Sequence, residues 1–193
     1  HLWNVASGTL PQGMGEDAPR DYGILLAEAM ATKPFQSIIN PDDKLFANPA
    51  NMQEAIKEYC KKSGQHVPEG YAEVCRCIFE SLALRYRQVF GYLKEMASFP
   101  INTLHIIGGG SLNKYLNQFT ANSTGVEVLA GPQECTALGN IMMQAKSAGD
   151  VDGIFDMRRI IADSVIMTRF EPQDKELWDE AYKKYLEIVN IKD

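Results

Sequence analysis

Apolar positions along the chain change their period several times, and each change marks an element. Val74, Ile78, Leu82, Val89 and Leu93 recur at three- and four-residue spacings, with Cys75, Phe79, Tyr86 and Phe90 beside them. That pattern predicts one long amphipathic helix over residues 71–97. Pro100 ends it, and residues 101–107 are β-branched and apolar without helical period, which predicts a buried strand running into Gly108-Gly109-Gly110. Ser111 is then expected to cap a helix carrying Leu112, Tyr115, Leu116 and Phe119, which Gly125 ends. Residues 126–130 read as a second short strand. Gly131-Pro132 leads into a helix over 133–148 with Leu138, Ile141, Met142 and Ala145 facing inward. Helix, strand, helix, strand, helix in that order implies right-handed parallel crossovers.

The flanks are less regular. Residues 1–50 hold five of the nine prolines, and Gly8, Pro11, Gly13 and Gly15 break any helix there. A short helix is expected over 21–31, followed by turns at Pro34, Pro41-Asp42-Asp43 and Pro49. Asn51 with Glu54 resembles a capping pair opening a helix to residue 62, which Gly64 terminates. Beyond Gly149 an amphipathic segment over 154–162 and a helix over 174–189 complete the pattern. The chain thus divides into an irregular opening (1–20), a helical insertion (21–70), an α/β core (71–148) and C-terminal helices (149–193).

Composition narrows the classes of function. With 193 residues and 45% apolar content a true core forms, so a disordered chain is excluded. Nineteen Lys and Arg against 25 Asp and Glu leave a net charge of -6 with no basic cluster, which argues against nucleic acid or an anionic membrane as partner. Apolar runs fall far short of the roughly 20 residues that span a bilayer, and a cytoplasmic location is expected. Cys60, Cys75, Cys77 and Cys135 read as ordinary reduced thiols, because Cys75-x-Cys77 is not a zinc spacing. His1, His66 and His105 are scattered, so no metal site is expected.

The chemistry points to one place. A strand that ends in glycines and turns at once into a helix gathers backbone N–H groups and the positive end of the helix dipole, where a phosphate can bind. Gly108-Gly109-Gly110-Ser111 has that form, although a tight turn without ligand has it too. A dinucleotide-binding turn needs a glycine where Asn113 stands, and no Walker A spacing exists. Residues 130–140 form a second strand-to-helix turn, so two turns should flank a crevice at the carboxyl ends of parallel strands. Glu134 there reads as a helix-dipole partner.

Ile107-Gly108-Gly109-Gly110-Ser111-x-Asn113, Leu116-Asn117-Gln118, Thr124-Gly125 and Gly131-Pro132-x-Glu134-x-Thr136-Ala137-Leu138-Gly139-Asn140 closely resemble the C-terminal domain of FGGY carbohydrate kinases. Within that family, Pro34-Phe35-x-Ser37-Ile38-Ile39-Asn40-Pro41-Asp42-Asp43 and Cys77-Ile78-x-Glu80-Ser81-Leu82-Ala83-Leu84-x-Tyr86 resemble the rhamnulokinase branch. The resemblance implies part of an actin-like ATPase (ribonuclease H-like) domain, α/β, helix-rich, with a small parallel sheet. It implies that Gly109, Gly110 and Asn113 contact an adenine nucleotide at its α-phosphate, ribose and adenine edge. ATP as co-substrate and Mg2+ follow from the same likeness, with L-rhamnulose phosphorylated on its 1-hydroxyl. The sugar and the aspartate base belong mainly to parts of such kinases that precede the matched region, so the isolated chain is expected to be inactive. Where the family carries an Asn-Ile-Met-Gly-x-Trp run and a later Gln, Leu2-Trp3 and Ala6 stand here. The alternative is a catalytically silent nucleotide-binding or interaction module. With only two strands expected, the sheet should keep an open edge, met by self-association or by residues 1–19 laid across it.

Overall fold

The computed structural model describes residues 22–189; the irregular opening and the positions of Leu2, Trp3 and Ala6 lie outside the described residues. Three helices make the first layer: α1 (Tyr22–Ala31), α2 (Met52–Lys62) and the long α3 (Gly70–Met96). Asn51 caps α2 as its sequence position predicts, its Oδ1 accepting the N–H groups of Gln53 and Glu54. Leu25 and Ala29 of α1, Ile56 and Cys60 of α2, and Val74, Ile78 and Phe79 of α3 form one fully buried cluster. Burial of each such Leu, Ile or Phe contributes roughly 1.5–3 kcal/mol.

The opposite side of α3 receives the last helix, α7 (Lys175–Val189), whose Trp178, Ala181 and Tyr185 pack on Ile38, Ala83 and Leu84. Trp178 stands edge-on to Phe35 at 4.8 Å, and the Arg87 guanidinium lies 4.3 Å over the Tyr182 ring while pairing with Asp179 at 2.7 Å. The two clusters are joined by a charged pair inside the fold. Glu80 is 1% exposed. It accepts from Arg76 Nε at 2.7 Å and from the Phe35 N–H at 2.8 Å. Arg76 in turn donates to the carbonyls of Met30 and Thr32, at and just past the end of α1.

The α/β part follows in chain order. Strand β1 (Thr103–Ile106) leads into a 3-10 turn, Gly108–Leu112, and then α4 (Lys114–Thr124); β2 (Glu127–Ala130) leads into α5 (Cys135–Ala148). After α6 (Ile154–Ser164) a third strand, β3 (Thr168–Phe170), precedes α7. The sheet order is β1-β2-β3, with β1 parallel to β2 in the register Thr103↔Glu127 to Ile106↔Ala130, and β3 antiparallel to β2. The sheet is therefore mixed rather than purely parallel, because a three-residue strand between two helices, too short to show a period, adds an antiparallel edge. Ala121 of α4 packs with Val128, Ala130 and Phe170 beneath it.

Two expectations about the helices are corrected. Ser111 does not cap α4; its hydroxyl donates to Gly108 O at 2.7 Å inside the 3-10 turn, and Asn113 takes the cap position, accepting the Leu116 N–H at 3.0 Å. The inward stripe expected on α5 is only partly covered: Leu138, Met142 and Ala145 are half-buried, but Ile141 is 55% exposed and no residue of the helix is fully buried. Val89 and Leu93, read as core positions of the long helix, are likewise partly open. No helix among the described residues is long and apolar enough to cross a membrane.

Two outcomes test this packing. Burial raises the Glu80 carboxyl from its ordinary 4.5 to about 7, against the opposing pull of Arg76 and the Phe35 amide. An acid held above its unfolded value keeps its proton longer in the native state. Its contribution is full below about 4.5 and is lost as pH rises to 7, on the order of 3 kcal/mol. Urea unfolding of wild type and Glu80→Gln between pH 4.5 and 8 should give curves that diverge in that window, the wild type falling relative to the variant; parallel curves exclude the assignment. Gly131 has φ +124, and a Cβ there would stand 3.4 Å from Ile166 O. Gly131→Ala should therefore cost more than about 1 kcal/mol, read as a lower urea midpoint at unchanged slope.

Candidate functional site

The two glycine turns stand side by side because β1 and β2 are parallel neighbours that end at the same level. They are tied together: Gly131 N–H donates to Ile106 O at 2.8 Å, and Gly108 N–H donates to Pro132 O at 3.0 Å. Gly108 has φ +73, a left-handed conformation that favours glycine. The two turns thus lie together at the carboxyl ends of β1 and β2, the end at which open α/β sheets accept ligands.

Of the three residues singled out from the sequence, two line the open side of the turn. Gly109 is exposed, and a Cβ on it would meet nothing within 4 Å. Gly110 is half-buried, and a Cβ there would stand 3.7 Å from Ile106 Cγ2, an ordinary contact. Any larger side chain at either position would take the space through which a ligand reaches the main chain. Asn113 differs from both. It is 2% exposed, its Oδ1 caps α4, and its N–H donates to Gly110 O at 3.2 Å, so it holds the turn and the helix start in one geometry. The positive end of the α4 dipole thus begins three residues beyond the glycines and is closed by the Asn113 carboxamide.

One supporting residue entered the sequence reading only as part of a family pattern, without a role. Asn117, fully buried on α4, donates from Nδ2 to Ser111 O at 2.9 Å and braces the far end of the glycine turn, while its Oδ1 has no partner. Its signal was present as a polar residue next to Leu116 on the buried side of the helix. Glu134 is exposed at the second turn, where its carbonyl accepts the Leu138 N–H and opens α5.

Cys135 opens α5 at the second turn, whereas Cys60, Cys75 and Cys77 are buried in the helical part away from both turns. Burial pushes Cys75 up to about 12, and Cys77, which hydrogen-bonds Cys60, is held well above the ordinary thiol range. Such thiols stay protonated and act as small apolar groups. Among the described residues no group of three or more His, Cys, Asp or Glu converges as a metal site.

Comparison with known proteins agrees with this geometry. The model of the FGGY family of carbohydrate kinases, C-terminal domain, matches residues 10–148. A rhamnulokinase of Bacteroides thetaiotaomicron is 53% identical over 168 residues, covering 87% of this chain and 35% of that protein. Rhamnulokinases of Pectobacterium carotovorum and Bacillus subtilis are 45% and 38% identical, over 80% and 90% of the chain. The chain spans about a third of the length of these relatives. Among solved structures, a xylulose kinase from Rhodospirillum rubrum superposes with a TM-score of 0.61 at 19% identity, over 97% of this chain and 36% of that one. A Plasmodium falciparum glycerol kinase solved with ADP gives the same TM-score at 15% identity, over 91% of this chain and 35% of that one, so the actin-like ATPase fold is shared. A helix-rich unit with paired glycine turns on neighbouring parallel strands, matched across most of its length by that family model, belongs to the FGGY carbohydrate kinases.

Proposed function

We propose that this chain provides the adenine-nucleotide side of an ATP-dependent sugar kinase that converts L-rhamnulose to L-rhamnulose 1-phosphate in the cytoplasm. The observation that carries the proposal is the open glycine turn at Gly109 and Gly110, braced by Asn113 and Asn117 beside the second turn at Gly131. The names of the relatives support the choice of sugar.

In this reading the role of the chain is positioning. Phosphoryl transfer asks the protein mainly to hold the phosphates in line and to stabilise charge. Gly109 and Gly110 let the nucleotide approach the main chain, and Asn113 acts indirectly by fixing the turn. Stiffness of the turn matters because its hydrogen bonds are already made before nucleotide arrives, so little ordering is left for binding to offset. The described residues offer no cluster of three or more acidic, His or Cys ligands for Mg2+.

Two measurements test the proposal. Calorimetric or NMR titration with ATP and ADP should give a Kd near millimolar, about -4 kcal/mol, because one wall of a two-domain cleft supplies only part of the contacts. Gly110→Val should abolish binding, while Gly110→Ala, whose Cβ fits, should keep the fold; equal affinity in wild type and Gly110→Val removes the turn from the nucleotide site. The 193-residue chain assayed alone with ATP and L-rhamnulose should release no ADP, since the family places its base and phosphate loop in a domain that these residues do not match. Turnover that disappears when a residue of this chain is replaced would contradict that.

A further inference from the structure

The two glycine turns are joined at the front by the Gly108 and Gly131 amides. A second tie lies behind them, in the C-terminal half of α4. Gln118 Nε2 donates to Asn122 Oδ1 at 2.7 Å and to Glu171 O at 2.8 Å. The same Asn122 Oδ1 accepts the Gln173 N–H at 3.0 Å. Asn122 is 6% exposed, so one oxygen gathers two donors almost out of water, where losing the acceptor strands both.

The far side of this tie leads to the second turn. Residues 171–173 belong to neither helix nor strand and continue directly from β3. β3 pairs with β2 through Ala130↔Thr168, and Gly131 follows at the carboxyl end of β2. The near side leads to the first turn, which Asn113 and Asn117 hold from the start of α4. Two routes therefore connect the turns. One is the direct pair of amide bonds; the other runs from α4 through Gln118 and Asn122 to β3 and back along β2. Phe170 of β3 packs with Ala121 of α4 beside this link, but apolar contact has no preferred direction, whereas hydrogen bonds to two carboxamides prescribe one seating.

We infer that Gln118 and Asn122 are positioning residues for the nucleotide: by seating α4 on the segment after β3, they set the separation of the two glycine turns before ligand arrives. The inference rests on the nucleotide reading of those turns. Neither side chain is hydrogen-bonded to a turn, and both act through α4. A displaced α4 carries Asn113 and Asn117 with it, and so shifts the main-chain groups that a phosphate would meet.

Hydrogen exchange at the Gly108 and Gly131 amides and NMR titration with ATP, both on the 193-residue chain, provide the test. Gln118→Met keeps the length of the side chain and loses its donors, Asn122→Ala loses the shared acceptor, and Asn122→Asp keeps it. In the first two variants both amides should exchange about tenfold faster or more and the Kd for ATP should rise about threefold or more, while Asn122→Asp should stay within roughly twofold of wild type in both. Ile56→Val, in the buried cluster of α2, should lower the Tm and change neither quantity. Unchanged exchange in Gln118→Met, equal quickening by Ile56→Val, or faster exchange with unchanged ATP affinity would overturn the inference. If Asn122→Ala does not fold, the half-buried Gln118 decides by itself. Loss of ATP binding in Gly110→Val with full binding in Gln118→Met and Asn122→Ala would remove this inference alone; a wild-type chain that binds no ATP would remove the nucleotide reading with it.

Discussion

The fold turns on one buried ion pair. Glu80 lies where α3 is covered on both sides, and a carboxyl in that position is tolerable only because Arg76, one turn earlier, and the Phe35 N–H both reach it. The same guanidinium closes the carbonyls at the end of α1, which a helix leaves without partners. Phe35, held at positive φ, then places its ring against Trp178 and its carbonyl against Lys184 of α7. One pair of side chains thus links α1 and the segment after it, α3 and, through Phe35, α7.

The site depends on a different kind of constraint. Packing around the glycine turn is thin, with Gly109 exposed and Ile107 largely open, so its shape comes from hydrogen bonds. Asn113 and Asn117 hold its C-terminal end, and the Gly131 and Gly108 amides tie it to the neighbouring turn. A turn held this way is rigid yet open above its main chain, which suits a surface that must meet a polyanion without a side chain in the way.

Legibility from the sequence followed the range of the forces involved. The long helix, the parallel pair and the two adjoining glycine turns are readable because their signals are local: apolar period, glycine and proline position, and an Asn before a helix. The start of α4 was misplaced because Ser111 and Asn113 are both good caps, and the choice depends on Asn117 drawing Ser111 O into the 3-10 turn from the next helical turn. β3 was missed because three residues carry no period of their own; the partner strand makes it. Glu80 was seen only as part of a family pattern, since nothing in its neighbours reveals that Arg76 and Phe35 meet it in space. The inward faces of α5 and of the end of α3 were read correctly as apolar, but apolar pattern says that a face will be covered, not which polypeptide segment covers it.

This last distinction explains why the molecule is uneven. On the side of α1, α2 and α7 nearly every apolar stripe meets another, and Tyr185, Phe79 and Ile39 are sealed. Around the sheet and α5, by contrast, Ile107, Leu112, Ile141 and Met143 keep more than half of their surface in water. Apolar area left uncovered contributes nothing to stability, and local opening concentrates where such contacts are few. The two glycine turns therefore lie at the boundary between a closed helical body and an α/β part with open apolar faces. Whatever covers Ile107 must also settle β1, because β1 carries the first glycine turn at its carboxyl end and has only four residues to hold it.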